Sequence, residues 1–416
     1  MQPEQRTQSD NGQLATAGQR YCVGIVGAGS IGCYLGAHLC QDVALDVKFF
    51  GRETMALELA AHGLSVTSYN HHTYYAQPVA FFSSLNSLIE CDVVLLTVKA
   101  TALVPMLTQL QRFLRPEVPV IAMQNGIGIG EMLTQDLANP VLRAIVPFNV
   151  VKNSAGQFHR ATSGDIILQR SQFDVVNYLV SVFNRLKLKV ELCDDITGAE
   201  YGKLLLNLNN ALNAISGLPL KQQLLDRNFR CLLSYAMQEW LAICARTGTQ
   251  PTAYTRLPNA LLPWLLRLPT PLFSALAKSM LTMDEQARSS MWDDIQAGKT
   301  TEIAFLNGAV VRMAQLHQTT APVNNLLVEQ IKQGAPADVV VFADDKQMND
   351  LVESGNVNKD TVTNIATNTL TLIVEKGNPL NITNVSDLAS PQIRTVLCDV
   401  VQPCGKYAAQ VLERAN

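Results

Sequence analysis

Three polar side chains recur along one predicted helix in the second half of the chain. In GAEYGKLLLNLNNALNAISG (residues 198–217), Lys203, Asn207 and Asn210 stand at i, i+4 and i+7, which is the spacing of one helix face. Leucines fill the remaining turns. A Lys buried among leucines has its pKa lowered by desolvation, which suits a proton donor near neutral pH. The spacing alone leaves a second interpretation open, a Lys that snorkels to solvent beside surface asparagines.

A second group of chemically capable residues lies in ARSSMWDDIQAGKTTEIAFLNGAVVRMA (residues 287–314). Ser289 and Ser290 begin one predicted helix, and Glu302 is expected in the first turn of the next, where the helix dipole favours a carboxylate. A carboxylate that faced Lys203 across a cleft would orient the ammonium and bind a substrate hydroxyl. Simple helix capping is the structural alternative for Ser289 and Glu302.

A glycine pattern near the start of the chain indicates a cofactor for such a proton donor. Gly27, Gly29 and Gly32 spell G-x-G-x-x-G between an apolar predicted strand, YCVGIVG, and a predicted helix. They permit a tight turn, close approach of a pyrophosphate, and close helix–strand packing, respectively. A turn without ligand is the alternative. The expected dinucleotide-binding loop consists of Gly27, Ala28, Gly29, Ser30, Ile31 and Gly32.

The residue that follows the second predicted strand, LDVKFFGR, indicates which dinucleotide is bound. NAD-preferring sites place an Asp or Glu there for the ribose 2′-hydroxyl, whereas this strand ends in Arg52. A planar guanidinium binds a phosphate bidentately, so Arg52 favours NADPH. Glu53 is the contrary candidate, and a solvated loop charge is the structural alternative for Arg52.

Two further polar residues follow predicted strands. Lys99 ends CDVVLLTVKA and Asn125 ends PVIAMQNGIG. Ligands of open α/β sheets lie beyond the carboxyl ends of the strands, so both residues are expected beside a nicotinamide or a substrate. Taken singly, each is compatible with an ordinary loop, since Asn-Gly is a common turn signal.

The composition indicates a multidomain, water-soluble protein. A chain of 416 residues exceeds the usual size of one core, and its 48% apolar residues can build several. The net charge of −3 gives no reason to expect nucleic acid or a membrane as a partner. Nine cysteines without a C-x-x-C pair suit reduced thiols in the cytoplasm, and the six histidines show no metal-ligand spacing. We therefore predict a cytoplasmic protein without a metal site.

The order of the patterns predicts an α/β fold in several parts. Residues 1–20 are polar and lack the apolar core of a secretory signal, so we expect them to form a disordered tail. A doubly wound, mostly parallel sheet is expected over residues 21–192 and an all-helical region over 193–333. The apolar stretch 257–281 is interrupted by prolines, which predicts a kinked buried segment rather than a membrane span. Residues 334–416 are expected to form an α/β extension.

Taken together, these segments resemble the ketopantoate reductases (2-dehydropantoate 2-reductases) over residues 22–332. The carrying motifs are VGIVGAGSIGCYLG, LLTVKA, MQNGIG, EYGKLLLNLNNALNAISG and, most specifically, RSSMWDDIQAGKTTEIAFLNGAVV. The resemblance implies a Rossmann domain, an all-α domain and an active site in the cleft between them. It also implies the NADPH-dependent reduction of the ketone of 2-dehydropantoate to (R)-pantoate, on the route to pantothenate and coenzyme A. A homodimer is a plausible assembly.

The resemblance assigns roles by motif position. Lys203 matches the general acid of the family, and Glu302 matches the Glu that binds the substrate hydroxyl and steers the Lys. Some members carry a second Asn eight residues beyond the Lys, where this chain has Ala211 beside Asn210. The residues implied to hold the substrate are Asn125, Asn207, Asn210 and Ser290. Those implied to hold NADPH are the glycine loop, Arg52, Lys99 and Asn125.

The extension 334–416 resembles part of the periplasmic molybdate-binding proteins. The matching pieces are GAPADVVVFAD, ATNTLTLIV and PCGKYA. These proteins hold an oxyanion between two lobes with hydroxyls and backbone N–H groups, and one lobe has no counterpart here. We therefore expect a fused fragment that does not hold an oxyanion on its own.

Two alternatives to a ketopantoate reductase stay open at the level of sequence. One is a reductase of another branched 2-oxoacid. The other is a non-catalytic fusion protein that binds NADPH or an oxyanion. A proton donor that faces a carboxylate favours an enzyme, because a binding protein has no use for one.

Overall fold

The computed structural model describes residues 20–255, 257–278, 280–281, 285–333, 360, 374–390, 392–395 and 408–413. The chain divides into two units, Met1–Pro336 and Ala337–Asn416. The first unit contains every strand described below and both groups of candidate site residues. The predicted tail falls on residues 1–20, of which 1–19 lie outside the described residues.

An eight-stranded, mostly parallel sheet forms the centre of the first part of the chain, with strand order β12-β11-β8-β7-β6-β1-β2-β5. Only the β8–β11 pair is antiparallel. The mixed α/β fold predicted from sequence is confirmed. The strand bounds are β1 (Tyr21–Val26), β2 (Leu45–Phe50), β3 (Leu64–Ser68), β4 (Thr73–Ala76), β5 (Ala80–Phe82), β6 (Val93–Leu96), β7 (Val120–Ala122), β8 (Val141–Ile145), β9 (Val150–Ser154), β10 (Gln157–Arg160), β11 (Ile166–Gln169) and β12 (Val190–Cys193).

Burial on both faces explains why the central strands are continuous apolar runs. In β6, Val93 and Leu95 join a core cluster on one face of the sheet, whereas Val94 and Leu96 join the cluster on the other face. Alternation of side chains along a strand requires this division, and helices on both faces are the usual cover of parallel sheets. The helices of this region are α1 (Ser30–Leu39), α2 (Glu53–His62), α3 (Leu103–Phe113), α4 (Ile129–Asp136) and α5 (Asp174–Arg185).

A second sheet, β4-β3-β10-β9, packs against α1 and was not predicted from sequence. Its strands are short, and four of the five residues of β9 are exposed. The alternation of apolar and polar residues that would predict a strand is therefore weak. Its central pair, β3 and β10, joins segments about 90 residues apart in parallel. Such distant pairing leaves no local signal in the sequence.

Helices make up the rest of the described first unit. Trp240 of α9 is fully buried and donates a 2.9 Å hydrogen bond to the Tyr201 carbonyl of α6, which ties the two helices together. The helix bounds are α6 (Ile196–Asn207), α7 (Asn209–Ser216), α8 (Leu220–Leu225), α9 (Arg227–Thr247), α10 (Leu262–Arg267), α11 (Thr270–Leu276), α12 (Ser290–Gln296), α13 (Asn307–Leu316) and α14 (Pro322–Gln333). Short 3₁₀ turns lie at Leu85–Glu90, Ala100–Ala102, Asn259–Leu261 and Ile303–Phe305.

The proline-interrupted stretch 257–281 is broken into α10 and α11, as predicted. Leu266 and Phe273 are buried, but Trp264 is 61% exposed, and Leu272, which precedes Phe273, is also exposed. The prediction that the whole segment is buried is therefore wrong for its outer side, because each short helix packs only one face inward. Within the described ranges, the structure contains no helix that is both long and apolar enough to span a membrane.

The second unit is described only in part. Its described residues include a 3₁₀ turn, Val385–Ala389, capped reciprocally by Asn384 and Asp387, and a helical segment at 408–413. The predicted GAPADVVVFAD segment and nearly all of ATNTLTLIV and PCGKYA lie outside the described residues.

Candidate active site

The glycine loop between β1 and α1 has the geometry that its three glycines predict. Gly27 has φ +106°, and a Cβ there would clash with the backbone nitrogen of Val98. A Cβ on Gly32 would clash with the Gly27 carbonyl, so this glycine lets α1 approach the strand. A Cβ on Gly29, by contrast, would meet nothing within 4 Å. The loop is closed on its protein side and open above Gly29.

The start of α1 presents free backbone donors to that open space. Gly29 is the N-cap residue, no side chain caps the helix, and its first turn contains no acidic residue. Ser30 and Ile31 are its first two residues. A helix N-terminus in this state attracts an anion, and the space above Gly29 lets a phosphate come close. The residues present therefore fit the pyrophosphate of a dinucleotide.

Arg52 lies at the edge of the same loop. The backbone N–H groups of Gly27 and Ala28 both donate to the carbonyl of Phe50, at 2.9 and 3.1 Å, which fixes the loop against the end of β2. Arg52 follows two residues later as the exposed N-cap residue of α2. Its guanidinium forms no ion pair within the part of the chain that the structure describes. Glu53, the contrary candidate, is also exposed, in the first turn of α2.

Lys99 is held by a carboxylate of the helical region. Its ammonium forms an ion pair with Asp294 of α12, which is 5% exposed. The next residue, Ala100, donates its backbone N–H to Glu302 Oε1 at 2.9 Å. Two consecutive residues after β6 thus contact two carboxylates almost 200 residues away. This arrangement brings the predicted residues Lys99 and Glu302 together.

Glu302 does not lie in the first turn of an α-helix, so that expectation is wrong. It precedes the 3₁₀ turn Ile303–Phe305, and α13 begins only at Asn307. The reason is Leu306, whose φ and ψ of −106° and −103° interrupt the helix. Burial raises the pKa of Glu302, while the Ala100 N–H and the Lys99 charge oppose that rise.

Asn125 is exposed in the loop after β7 and lies near the same turn. Its neighbour Gly126, with φ +101°, packs so closely that a Cβ would clash with the Phe305 carbonyl. The N–H of Ile127 donates to that carbonyl at 3.2 Å. The loop that carries Asn125 is therefore fixed against the turn that follows Glu302.

Lys203 is in α6, where it is half-buried and has no charged partner among the described residues. Desolvation lowers its pKa to about 8. No hydrogen bond or ion pair of Lys203 with another described residue is found, Glu302 included. One turn along, Asn207 is 8% exposed and its Nδ2 is buried without a hydrogen-bond partner in the described chain. An unpaired donor beside a desolvated ammonium is costly unless something binds there.

Asn210 lies on α7 rather than on the helix of Lys203. The predicted single helix is interrupted at Leu208, whose carbonyl lies 3.5 Å from Asn307 Nδ2. The i, i+4, i+7 face is therefore shared by two successive helices.

Ser290 is the exposed first residue of α12. The residue before it, Ser289, caps α12 by accepting from the Trp292 N–H at 3.2 Å and donates its hydroxyl to the Asn210 carbonyl at 3.0 Å. The capping interpretation of Ser289 is thus confirmed. Through Ser289 and Asp294, helix α12 contacts both α7 and the Lys99 loop.

Sequence reasoning missed two residues that organise this site. Asp294 lies within the RSSMWDDIQ motif but was assigned no role, although a neighbouring pair of aspartates is a signal for a charge partner. Gln124 precedes Asn125, and its Nε2 donates to the carbonyls of Leu96 and Val98 at 2.9 and 3.1 Å. It thereby joins the ends of β6 and β7. Its Oε1 is buried without a described partner.

Chemically, the arrangement combines an anion-binding loop, a desolvated ammonium and a buried carboxylate. The loop fits a dinucleotide phosphate, and a Lys with a pKa near 8 can donate a proton at neutral pH. The carboxylate of Glu302 can accept a hydrogen bond from a ligand hydroxyl. These are the functions that a carbonyl reductase requires.

Comparison with known proteins supports this chemistry. Residues 23–172 match the family described as ketopantoate reductase PanE/ApbA, and residues 195–335 match its C-terminal region. The 2-dehydropantoate 2-reductase of Vibrio cholerae is 27% identical over 322 residues, covering 74% of this chain and 96% of that protein. The corresponding enzyme of Pyrococcus horikoshii is 25% identical over 312 residues, covering 74% and 95%.

Solved structures show the same fold over the same part of the chain. A PanE/ApbA family ketopantoate reductase from Ralstonia eutropha matches with a TM-score of 0.64 and 25% identity, covering 75% of this chain and 98% of that one. D-mandelate dehydrogenase, solved with NADH and anilino(oxo)acetate, matches with a TM-score of 0.63 and 19% identity, covering 75% and 98%. The latter is a likeness of fold alone.

The C-terminal part matches a different class of protein. Residues 313–416 match the bacterial extracellular solute-binding proteins. The molybdate-binding protein ModA of Mycobacterium tuberculosis is 36% identical over 85 residues, which cover 20% of this chain and 32% of that protein. The resemblance of the extension to a fragment of a molybdate-binding protein is thus confirmed.

Proposed function

Because residues 23–335 of this chain belong to the ketopantoate reductase family, we propose that the protein is an NADPH-dependent oxidoreductase that reduces 2-dehydropantoate to (R)-pantoate. This activity would serve pantothenate and coenzyme A synthesis in the cytoplasm. The observation that carries the proposal is Lys203, a desolvated ammonium with a pKa of about 8. A protein that only bound a dinucleotide would gain nothing from desolvating an ammonium that has no counter-ion among the described residues.

The cofactor part of the proposal is supported by the loop at Gly27–Gly32 and by Arg52. The open space above Gly29 and the uncapped start of α1 suit a pyrophosphate. The exposed guanidinium of Arg52, which follows β2 and has no ion-pair partner among the described residues, suits the ribose 2′-phosphate. When bound, NADPH supplies the hydride for the C2 carbon of the ketone.

The chain's own residues supply orientation and a proton. The Lys203 ammonium stabilises the negative charge that develops on the ketone oxygen and then protonates that oxygen. Glu302 accepts a hydrogen bond from the substrate hydroxyl and steers the ammonium. Lys99 lies near the cofactor, and Asn125 contacts both substrate and nicotinamide. The remaining substrate contacts are Asn207, Asn210 and Ser290.

A second candidate substrate is another branched 2-oxoacid. The observation that favours it is Ala211, a fully buried residue of α7 at a position where some family members carry an Asn. An apolar residue there removes a hydrogen-bonding group from the region next to Asn207. Such a change alters which hydroxyl or carboxylate the site can satisfy.

No separate activity is proposed for the C-terminal extension. It spans about a third of the length of the molybdate-binding protein that it matches, and an oxyanion site needs donors from both lobes of such a protein. Calorimetric titration of the full chain with molybdate is expected to give no stoichiometric heat.

The decisive experiment follows NADPH oxidation by absorbance with 2-dehydropantoate and a small panel of other branched 2-oxoacids. The proposal predicts the highest kcat/KM with 2-dehydropantoate and a kcat/KM at least ~10²-fold lower for Lys203→Ala. A higher kcat/KM with another 2-oxoacid would support the second candidate. NADPH binding without turnover on any 2-oxoacid would contradict both.

A further inference from the structure

Two free cysteines outside the proposed active site face each other across neighbouring strands. Cys22 lies in β1 and Cys91 lies two residues before β6, and their Sγ atoms are 3.7 Å apart. The backbone around them is fixed. Cys22 N donates to Asp92 Oδ2 at 2.9 Å, and Asp92 N donates to the Cys22 carbonyl at 2.8 Å. The short distance between the sulfurs is therefore set by the sheet.

Cys22 is accessible to solvent, and the buried Cys91 has space for its side chain to rotate. Cys22 is half-buried and lines a surface cavity of about 340 Å³, which also involves Arg20, Tyr21 and Leu45. Cys91 is fully buried behind it. Residue 24 is a glycine, and a Cβ there would lie only 3.1 Å from Cys91 Sγ. The missing side chain leaves space for that sulfur to rotate towards Cys22.

The electrostatic surroundings divide the two thiols into an attacking and a resolving group. The hydrogen bond shared with Cys91 lowers the pKa of Cys22, and the Lys48 ammonium lowers it further, against burial and the Asp46 and Asp92 carboxylates. The same hydrogen bond and burial raise the pKa of Cys91. A thiolate that is reachable from solvent beside a protonated partner is the usual arrangement of a redox-active pair.

We propose that Cys22 and Cys91 form a reversible intramolecular disulfide when the protein meets a peroxide. The Cys22 thiolate attacks a peroxide oxygen, so that an S–O bond forms, the O–O bond breaks and hydroxide leaves. The Cys91 sulfur then attacks Cys22, losing its proton as the S–S bond forms and water leaves. The hydroxide takes up the proton that Cys22 released on ionising, so both sulfurs are oxidised by one electron each and hydrogen peroxide is reduced to two waters. A covalent bond of ~2.05 Å requires the sulfurs to approach by ~1.7 Å, which side-chain rotation can supply.

Two other cysteines near Cys22 in sequence provide internal controls. Cys33 is buried with its thiol 3.5 Å from the Ala28 carbonyl, and burial raises its pKa to about 12. Burial likewise raises the pKa of Cys40 to about 12. Both stay protonated at neutral pH and are poor nucleophiles.

Peptide mapping under native conditions tests the pair directly. The folded full-length chain is treated with hydrogen peroxide, its remaining thiols are blocked with N-ethylmaleimide, and it is digested with trypsin without reduction. Cleavage after Arg20, Lys48, Arg52 and Lys99 releases residues 21–48, with Cys22, Cys33 and Cys40, and residues 53–99, whose only cysteine is Cys91. We expect these two peptides to appear cross-linked, fragmentation to place the bond at Cys22, and dithiothreitol to separate them.

Matched variants distinguish the proposed pair from accidental oxidation. The cross-link should disappear in Cys22→Ser and persist in Cys40→Ser, with folding of each checked by circular dichroism. If fragmentation of the wild-type peptides places the disulfide at Cys33 or Cys40, the proposal is overturned. This test needs no variant. Irreversible conversion of Cys22 to sulfinic acid without a cross-link would also overturn the proposal. The same holds if the wild-type chain forms no cross-link at all.

Discussion

The carboxylate of Glu302 accepts a 2.9 Å hydrogen bond from the backbone N–H of Ala100. Ala100 opens the 3₁₀ turn after β6, and Glu302 belongs to the helical region, so the bond joins the two regions that form the proposed site. Oε2 of Glu302 forms no hydrogen bond with any other described residue. One oxygen of Glu302 is thus committed to the protein, and the other remains for a ligand hydroxyl.

Removal of either Lys203 or Glu302 is expected to abolish most of the reductase activity. Lys203→Ala removes the proton donor and Glu302→Gln removes the negative charge that steers it, so each should lower kcat/KM by at least ~10²-fold, the usual scale of acid–base catalysis. The measurement is steady-state NADPH oxidation with 2-dehydropantoate. Lys221→Ala changes a half-buried Lys of α8 that is paired with Glu285; it is the matched control and should stay near wild type. Wild-type turnover in a folded Lys203→Ala protein would refute the assignment.

The pH profile should report the titration of Lys203. The ammonium must be protonated to donate, and burial lowers its pKa to about 8, so kcat/KM for reduction should fall as the pH rises through about 8. The check is a profile of kcat/KM from pH 6 to about 10. The residual activity of Lys203→Ala should lack this alkaline decrease. An unperturbed Lys would instead keep the profile flat to about pH 10.

Lys203 should also reduce the stability of the protein. Its pKa in the folded chain, about 8, lies below the ordinary value of 10.5, so folding disfavours the charged form. This cost is fully present below pH 8 and is relieved as the pH rises from 8 to about 10.5. We therefore expect Lys203→Met to raise the unfolding temperature at pH 7 and to lose that advantage at alkaline pH. A lower unfolding temperature for Lys203→Met at pH 7 would mean that the ammonium is not desolvated.

Two alanine substitutions in the glycine loop should have different effects: one should lower the stability of the fold, and the other should weaken cofactor binding. Gly27→Ala combines φ +106° with a clash against Val98, and should cost about 1–3 kcal/mol of stability. Gly29→Ala meets nothing within 4 Å, so its stability should stay within about 0.5 kcal/mol of wild type. Its new methyl group would nevertheless occupy the proposed pyrophosphate position and weaken NADPH binding. Thermal unfolding and fluorescence titration measure the two effects, and unchanged NADPH affinity in Gly29→Ala would place the cofactor elsewhere.

Cofactor preference should depend on Arg52. Arg52→Ala removes the proposed 2′-phosphate contact, so the KM for NADPH should rise far more than the KM for NADH. Initial rates with both cofactors at a fixed 2-oxoacid concentration give the ratio. The adjacent Glu53→Gln is the control, since it should leave the preference for NADPH unchanged. If Glu53→Gln instead weakens NADH use while Arg52→Ala changes nothing, the site prefers NADH.

Local patterns in the sequence predicted the elements that carry the site. The strands at Val23 and Val93 and the glycine turn at Gly27 are signalled by short apolar runs and by the backbone freedom of glycine. The α9 helix is signalled by its period and ends before Gly248, which adopts the left-handed conformation. Such features depend only on neighbouring residues, and the structure confirms them.

Contacts between distant segments were not predictable in this way. The Lys99–Asp294 ion pair joins residues 195 positions apart, and nothing near Asp294 indicates which cation it meets. At the interruption between α6 and α7, the Leu208 carbonyl accepts from Asn307, a residue of a later helix. The four-stranded sheet requires β3 to pair with β10, although neither strand has a strong alternation of apolar and polar residues. In each case the determining partner lies elsewhere in the chain.

Helix α12 spans only seven residues. Its N-cap residue, Ser289, is hydrogen-bonded to α7, and its fifth residue, Asp294, pairs with Lys99. An α-helix turns by about 100° per residue. A single insertion or deletion between Ser289 and Asp294 would therefore rotate Asp294 by more than a quarter of a circle away from Lys99 while Ser289 kept its place. The number of residues between Ser289 and Asp294 sets the rotational phase between the two halves of the proposed site, and the chain cannot change it by one residue without separating them.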